Sequence, residues 1–329
     1  HGCYELRALH DDGQRTHDLA LRACAAAGDR LGEAVMHRNL AGLYSSRPGS
    51  TIDAKLSHAR AALRLFRQVG HRPGEADALY LCATVHRTRG DNGAAVRLLE
   101  ASRRVAAAVG YRLGELHVWQ ELSIVRRQQG RAGEALTDAE QALRIARELG
   151  SARDQSVALG VIGITHRDRS DRIRAEAALA EAVAIASRAG DPLQLAFLYG
   201  HLGALYVDSG DPNARPVLER GLLLSSACGS VFGRALALLA LGRLDLSTGE
   251  VARAAARLEE AAALYRQSQN SYAEAKALVG LARALAALGE RGRAEEALCA
   301  AAHLFRRLGN DAEAAELAAN VAVAGVELS

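Results

Sequence analysis

The feature that most constrains this chain is a glycine that returns every 40 residues. Gly70, Gly110, Gly150 and Gly190 open the series, and Gly229, Asn270 and Gly309 continue it. A second series lies half a period away, at Gly90, Gly130, Ser170, Gly210, Gly249 and Gly289. Each of these residues ends a stretch of about 17 residues whose apolar positions recur at helical spacing. A Gly or Asn just past a helix adopts the left-handed conformation without a Cβ clash and lets the chain reverse. An Asp often follows, as in Gly28-Asp29, Gly90-Asp91, Gly190-Asp191 and Gly210-Asp211. There its carboxylate can cap the next helix and favour its dipole. The reading is helix, tight turn, helix, tight turn, about sixteen times over. The expected fold class is all-α.

Composition agrees. Ala, Leu, Arg and Glu dominate, aromatic residues make up only 4% and Pro occurs 5 times. These common side chains lose little rotamer freedom in a helix, and β-branched runs of strand length are missing.

Stacking the repeats aligns further columns. In the first helix of each pair a Leu or Ile precedes a small residue: Leu40-Ala41, Leu122-Ser123, Ile162-Gly163, Leu202-Gly203, Leu241-Gly242 and Leu281-Ala282. Three positions on stands Tyr44, His86, His166 or Tyr206. The second helix carries a small residue (Ala95, Ala135, Ala175, Ala214, Ala254, Ala294), then a large one four later, such as Leu99, Leu179, Leu218 or Leu258. Small residues at fixed positions let helix backbones approach, and large ones fill the space between neighbours.

These columns resemble the tetratricopeptide repeat, whose signature runs W-x2-L-G-x2-Y, then A-x3-F, then A and P. Trp119 falls in the column where that family places its Trp. The resemblance runs from about residue 13 to the C-terminus. It implies a right-handed α-solenoid of TPR-like hairpins, about seven full repeats plus a half-repeat at each end. Three departures stand out: a period of 40 rather than 34, Gly in place of the terminal Pro, and Arg126 and Asp245 in the aromatic column. One hairpin cannot bury its own apolar face, so residues 1–329 are expected to form a single cooperative solenoid domain. The register is weakest at Ser45 to Thr51, where the turn is longer, and at Asp211 to Pro216, where the fifth repeat is one residue short.

Catalysis is not expected. The chain has no HExxH, no phosphate-binding GxxxxGK[ST] loop and no GxSxG elbow, and its eleven His are dispersed. The periodic glycines serve turns. No cofactor and no metal site is expected. The five Cys (3, 24, 82, 228, 299) form no CxxC pair and read as small thiols in a reducing, cytoplasmic setting. No apolar run approaches the roughly 18 residues that span a bilayer, and the N-terminus has no signal-peptide layout. The net charge of +3 is too small to argue for nucleic acid.

In this family the first helices line a concave face. Arg87, Arg127 and Arg167, 40 residues apart, fall at equivalent positions there and predict a ladder down three hairpins, with Arg38 one repeat earlier. Asp77, Tyr80, Thr84, His117, Gln120, Gln128, Asp168, Phe197 and Asp208 are expected beside it, with Arg243, Lys276 and Arg283 further along. One reading is a cationic trough that clamps carboxylates or phosphates, which match guanidinium forks. The other is an Arg-rich solvated face, paired with Asp168 and its neighbours. On the first reading, replacing Arg87, Arg127 and Arg167 together by Glu abolishes partner binding without unfolding the array.

The Ala/Arg-rich variant, with openings such as Arg72-Pro-Gly-Glu-Ala and Leu113-Gly-Glu-Leu, is similar to the C-terminal sensor arrays of bacterial signal-transduction ATPases. The likeness is especially to actinobacterial transcription activators of the antibiotic-regulatory type. The resemblance implies a non-catalytic sensor domain, the C-terminal part of a longer regulator, that binds a protein, a peptide or other domains of the same regulator. Direct specific DNA binding and membrane association are not expected. The alternative is a stand-alone scaffold or receptor for an extended acidic peptide.

Overall fold

In a computed structural model, the structure describes residues 2–46 and 52–326, with side chains for 12–43 and 52–318. Sixteen helices and no strand occupy the described residues. The chain divides into two compact units, 1–125 and 126–329. The first holds α1 (Gly2–Ala27), α2 (Arg30–Ser46), α3 (Ile52–Gln68), α4 (Arg72–Thr88), α5 (Asn92–Ala108) and most of α6 (Arg112–Gln128). The second begins in the last turn of α6 and continues through α7 (Ala132–Glu148), α8 (Ala152–Asp168), α9 (Arg172–Ala189), α10 (Pro192–Asp208) and α11 (Ala214–Ala227). It ends with α12 (Val231–Ser247), α13 (Val251–Gln267), α14 (Ser271–Ala287), α15 (Arg291–Arg307) and α16 (Asp311–Val326). The division falls inside α6, at neither of the two weak points of register. Of those, residues 47–51 lie outside the described residues, as does the Tyr44 side chain.

The turns follow the glycine series. All twelve turn glycines from Gly28 to Gly309 have positive φ, and Ser170 joins them at 60°. One position differs from the sequence reading: Gln269, at φ 56°, takes the left-handed turn, and Asn270 caps α14 by accepting from the Ala273 N–H at 3.1 Å. Gln269 keeps the 40-residue step from Gly229 to Gly309, so the period prevailed over residue preference. Asp29, Asp91 and Asp191 accept from the backbone N–H three residues on, at 2.8, 2.9 and 3.0 Å. Asp211 instead caps a turn at Asn213 N, 2.9 Å away, and α11 starts late; the missing residue of the fifth repeat is absorbed there.

The small and large columns meet. A Cβ added at Gly163, Gly203 or Gly242 would lie 2.6, 2.5 and 2.6 Å from the Cγ of Leu179, Leu218 and Leu258. Those three leucines are wholly buried, each contributing about 1.5–3 kcal/mol of burial. Within each unit the even-numbered helices also pack on one another: α2 on α4, and α8, α10, α12 and α14 in succession. No odd-numbered pair does so to that degree. The even helices are therefore the more closely spaced, inner side.

Charge replaces ring at the two departures in the aromatic column. Arg126 places its guanidinium 2.6 Å from the buried Asp138 carboxylate of α7. Asp245 is wholly buried and meets Arg215, Arg253 and Arg257 at 2.9, 3.1 and 2.5 Å. Two of the remaining members reach the turn below them, His86 at 3.3 Å from Asp91 and His166 at 3.6 Å from Asp171, whereas the Tyr206 hydroxyl donates to Glu176 of α9 at 3.2 Å. Trp119 packs on the Leu99–Leu122 cluster with Arg103 5.2 Å over its ring.

Candidate functional site: the inner faces of the two units

In the first unit, α2, α4 and α6 bring four of the predicted residues together. Arg38, Asp77, Tyr80 and His117 line one hollow of about 430 Å³, with His17, Asn39 and Tyr111. Arg38 sits on α2 and reaches one repeat forward, donating to Asp77 Oδ2 on α4 at 3.2 Å. Its other donors go to Asn39 Oδ1 at 3.1 and 3.3 Å. Tyr80 and His117 face each other with ring centroids 5.9 Å apart. Burial raises the Asp77 pKa, with Arg38 acting against it. Burial and the neighbouring Asp77 carboxylate push Tyr111 up to about 12, so its hydroxyl stays a donor to Asp77. The hollow thus combines one guanidinium, one carboxylate acceptor and a pair of rings.

Arg87 and Gln120 lie elsewhere in this unit. Arg87 is half-buried in an ion pair with Glu121, which is itself 6% exposed. Beside them, burial and the Arg87 charge lower Lys55 to about 8. Gln120, half-buried on α6, accepts at its backbone carbonyl from Ser123.

In the second unit the ladder arginines are also engaged. Arg127 donates to Asp168 at 2.8 Å and lies 5.1 Å over the Tyr272 ring of α14. Arg167 lies 3.7 Å from Asp168 and 3.8 Å from Asp208, and its guanidinium faces the buried His201. Asp208 is shared with Arg243. Phe197 packs edge-on against His201 at 4.5 Å and stacks with Phe232 at 5.8 Å. Gln128 is buried, and its Oε1 has no partner among the described residues. Lys276 places its ammonium 5.3 Å from the Tyr272 ring. Burial alone would raise the Asp168 pKa, but Arg127, Lys276 and Arg167 together hold it well below the usual carboxylate range. Burial, with Arg167 and Arg127, pushes His201 well below its usual value and keeps the ring neutral.

The ladder therefore alternates charge: each rung arginine crosses to the next hairpin and meets a carboxylate or a histidine there. Replacing all three by Glu would set carboxylates against Glu121, Asp168 and Asp208, so that substitution disrupts packing and does not isolate binding. Glu121, His201 and Tyr111 escaped the sequence reading. The signal for the first two was present, since Glu121 follows Arg87, and His201 follows Arg167, by the same 34 residues. Tyr272 meets Arg127 from a distant hairpin and left no such trace. Among the described residues no three His, Cys, Asp or Glu cluster as a metal site, and no helix is long and apolar enough to cross a membrane.

The tetratricopeptide repeat family profile matches residues 114–188. No curated protein matches the sequence. Solved structures match the fold. The Rap conjugation gene regulator of plasmid pLS20, in complex with the Phr* peptide, superposes with a TM-score of 0.68 at 12% identity, over 86% of this chain and 77% of that one. A Rap protein complexed with Competence and Sporulation Factor gives 0.58 at 14% identity, over 98% of both chains. A signal-transduction ATPase with a tetratricopeptide repeat sensor from Pyrococcus horikoshii gives 0.57 at 13% identity, over 95% of this chain. This chain spans about half of that protein, 52%. Left-handed turns at a 40-residue step, small-on-large hairpin packing and these matches show a helical-repeat fold like that of the tetratricopeptide repeat, whose profile the chain matches over residues 114–188.

Proposed function

We propose that this chain is a non-catalytic, protein- or peptide-binding sensor domain of a bacterial transcriptional regulator, working in the cytoplasm and taking its partner on the inner, even-helix side. The observation that carries the proposal is the hollow bounded by Arg38, Asp77, Tyr80 and His117, where donors, an acceptor and rings face one space. The second unit's inner face is occupied by its own compensated charges, so the first unit is where an extended segment finds room. Two of the structural neighbours hold a peptide or a signalling factor, and a third carries such an array as a sensor. Those parallels support the regulator setting by fold alone.

The test is a pull-down from the source organism's lysate, with this chain and its Tyr80→Ala/His117→Ala variant as parallel baits. The two are first matched by melting temperature. A protein or peptide retained by the first and lost from the second supports the reading. Equal recovery by both baits refutes binding at this hollow.

A further inference from the structure

The outer side of the first unit carries a second, smaller hollow of about 400 Å³. Its wall is one face of α3, where Ser57, Arg60 and Arg64 follow at helical spacing, and Arg89 from the turn after α4 closes it. Arg89 is held there by Asp53, the single acidic residue of α3. Arg60 and Arg64 make no ion pair or hydrogen bond with any described residue, and both are exposed. The undescribed residues 47–51, Arg-Pro-Gly-Ser-Thr, hold no carboxylate that could serve them. With Arg89 neutralised by Asp53, the hollow retains two uncompensated positive charges.

Exposed arginines are common in this chain, so the surroundings decide whether these two matter. Most arginines on the other odd-numbered helices have carboxylate partners: Arg144 pairs with Glu148, Arg172 with Asp211, and Arg293 with Glu259 and Glu290. The stretches 52–68 and 89–108 together carry eight basic residues against three acidic ones, whereas α7 carries four acidic against two basic. Basic charge is therefore in excess on α3 and α5, as it is on α15, and at this hollow two guanidiniums on one helix face have no described partner.

We propose that the hollow is a docking site for a phosphoryl group, gripped by Arg60 and Arg64 with Ser57 as an additional donor. Charge balance selects this occupant. A phosphate monoester carries about −1.5 to −2 at neutral pH, which matches two free guanidiniums, whereas a lone carboxylate would leave one unmet. Guanidinium forks one helical turn apart can each meet a pair of phosphate oxygens. The group can arrive on a phosphorylated protein segment or on a free phosphorylated small molecule. The site is on the opposite side from the inner hollow, and its fate is independent of the binding reading above.

The test is fluorescence anisotropy with a labelled Gly/Ser peptide bearing one phosphoserine, against its unphosphorylated twin. The variants are Arg60→Gln/Arg64→Gln and, as a control on α15, Arg291→Gln, each checked for an unchanged melt. The expected result is at least tenfold weaker binding when either the phosphate or the arginine pair is removed, and no change in the control. Competition by free O-phosphoserine supports a site that reads the phosphoryl group alone. Phosphopeptide binding without such competition supports a site that needs the peptide around it. Equal affinity for both peptides overturns the proposal, and so does undiminished binding by the double variant. Arginine-dependent binding of a DNA duplex as tight as the phosphopeptide also overturns it, because the surface would then be a general polyanion face.

Discussion

Asp245 offers the sharpest test of how this array is held. It occupies the column where the family places an aromatic residue, is 0% exposed, and is reached by three guanidiniums from α11 and α13. Asp245→Ala removes the carboxylate that all three share and leaves only Glu250, 3.7 Å from Arg253. Deleting one partner of a buried ion pair costs about 3–5 kcal/mol, because the other charge stays behind without compensation. Here Arg215 and Arg253 keep 36% and 46% of their side-chain surface and can be rehydrated, whereas Arg257 keeps 27%. The low end of the range applies, about 3 kcal/mol. For a cooperative unit of about 200 residues this lowers Tm by about 6–12 °C. Asp245→Asn keeps the shape and two acceptor lone pairs, and should lose about half as much. The assay is urea and thermal unfolding followed by circular dichroism, at 0.1 and 0.5 M NaCl. Because the carboxylate is buried, most of the loss should survive the higher salt. A loss below about 0.5 kcal/mol, the range of ordinary surface substitutions, would refute the idea that this carboxylate replaces the aromatic as the anchor of its hairpin.

The remaining predictions concern packing and pH. Gly203→Ala forces a Cβ to 2.5 Å from Leu218 Cγ; overpacking of about 1–3 kcal/mol outweighs about 1 kcal/mol of helix propensity, so unfolding should begin at lower urea. Gly42→Ala meets nothing within 4 Å and should stabilise the chain by up to about 1 kcal/mol in the same experiment. His37, His58, His166 and His201 all have pKa values lowered, chiefly by burial. The unfolded chain therefore takes up protons first. Stability is full above the unfolded value near 6.5 and falls as pH drops below it, by up to about 1.4 kcal/mol per pH unit for each histidine. His201→Gln should flatten that slope between pH 7 and 5.5, and an unchanged slope would mean that His201 is not held neutral. Asp168, lowered in the fold, contributes stability above pH about 4 that is lost on further acidification. Asp168→Asn should leave a shallower decline there.

The sequence by itself determined the helical hairpins. A period of 40 residues with a left-handed turn at each half-period leaves the backbone little alternative, although the sequence reading placed Asn270 in a turn that the structure gives to Gln269. It also determined which side chains meet inside a hairpin, because the small column at Gly163, Gly203 and Gly242 faces the large column at Leu179, Leu218 and Leu258 at fixed helical offsets. The candidate residues Arg38, Asp77, Tyr80 and His117 could be nominated for the inner face from their spacing together with the family resemblance. Only the tertiary structure decided that they share a hollow, while Arg87, Arg127 and Arg167 are engaged with Glu121, Asp168 and His201. It alone brought Tyr272 and Lys276 to the Arg127–Asp168 pair, and Arg89 from its turn to the α3 arginines. The physical reason is that periodicity fixes which way a side chain points along its own helix. Whether a charge is compensated depends on groups that superhelical stacking delivers from other hairpins, and no local spacing encodes that.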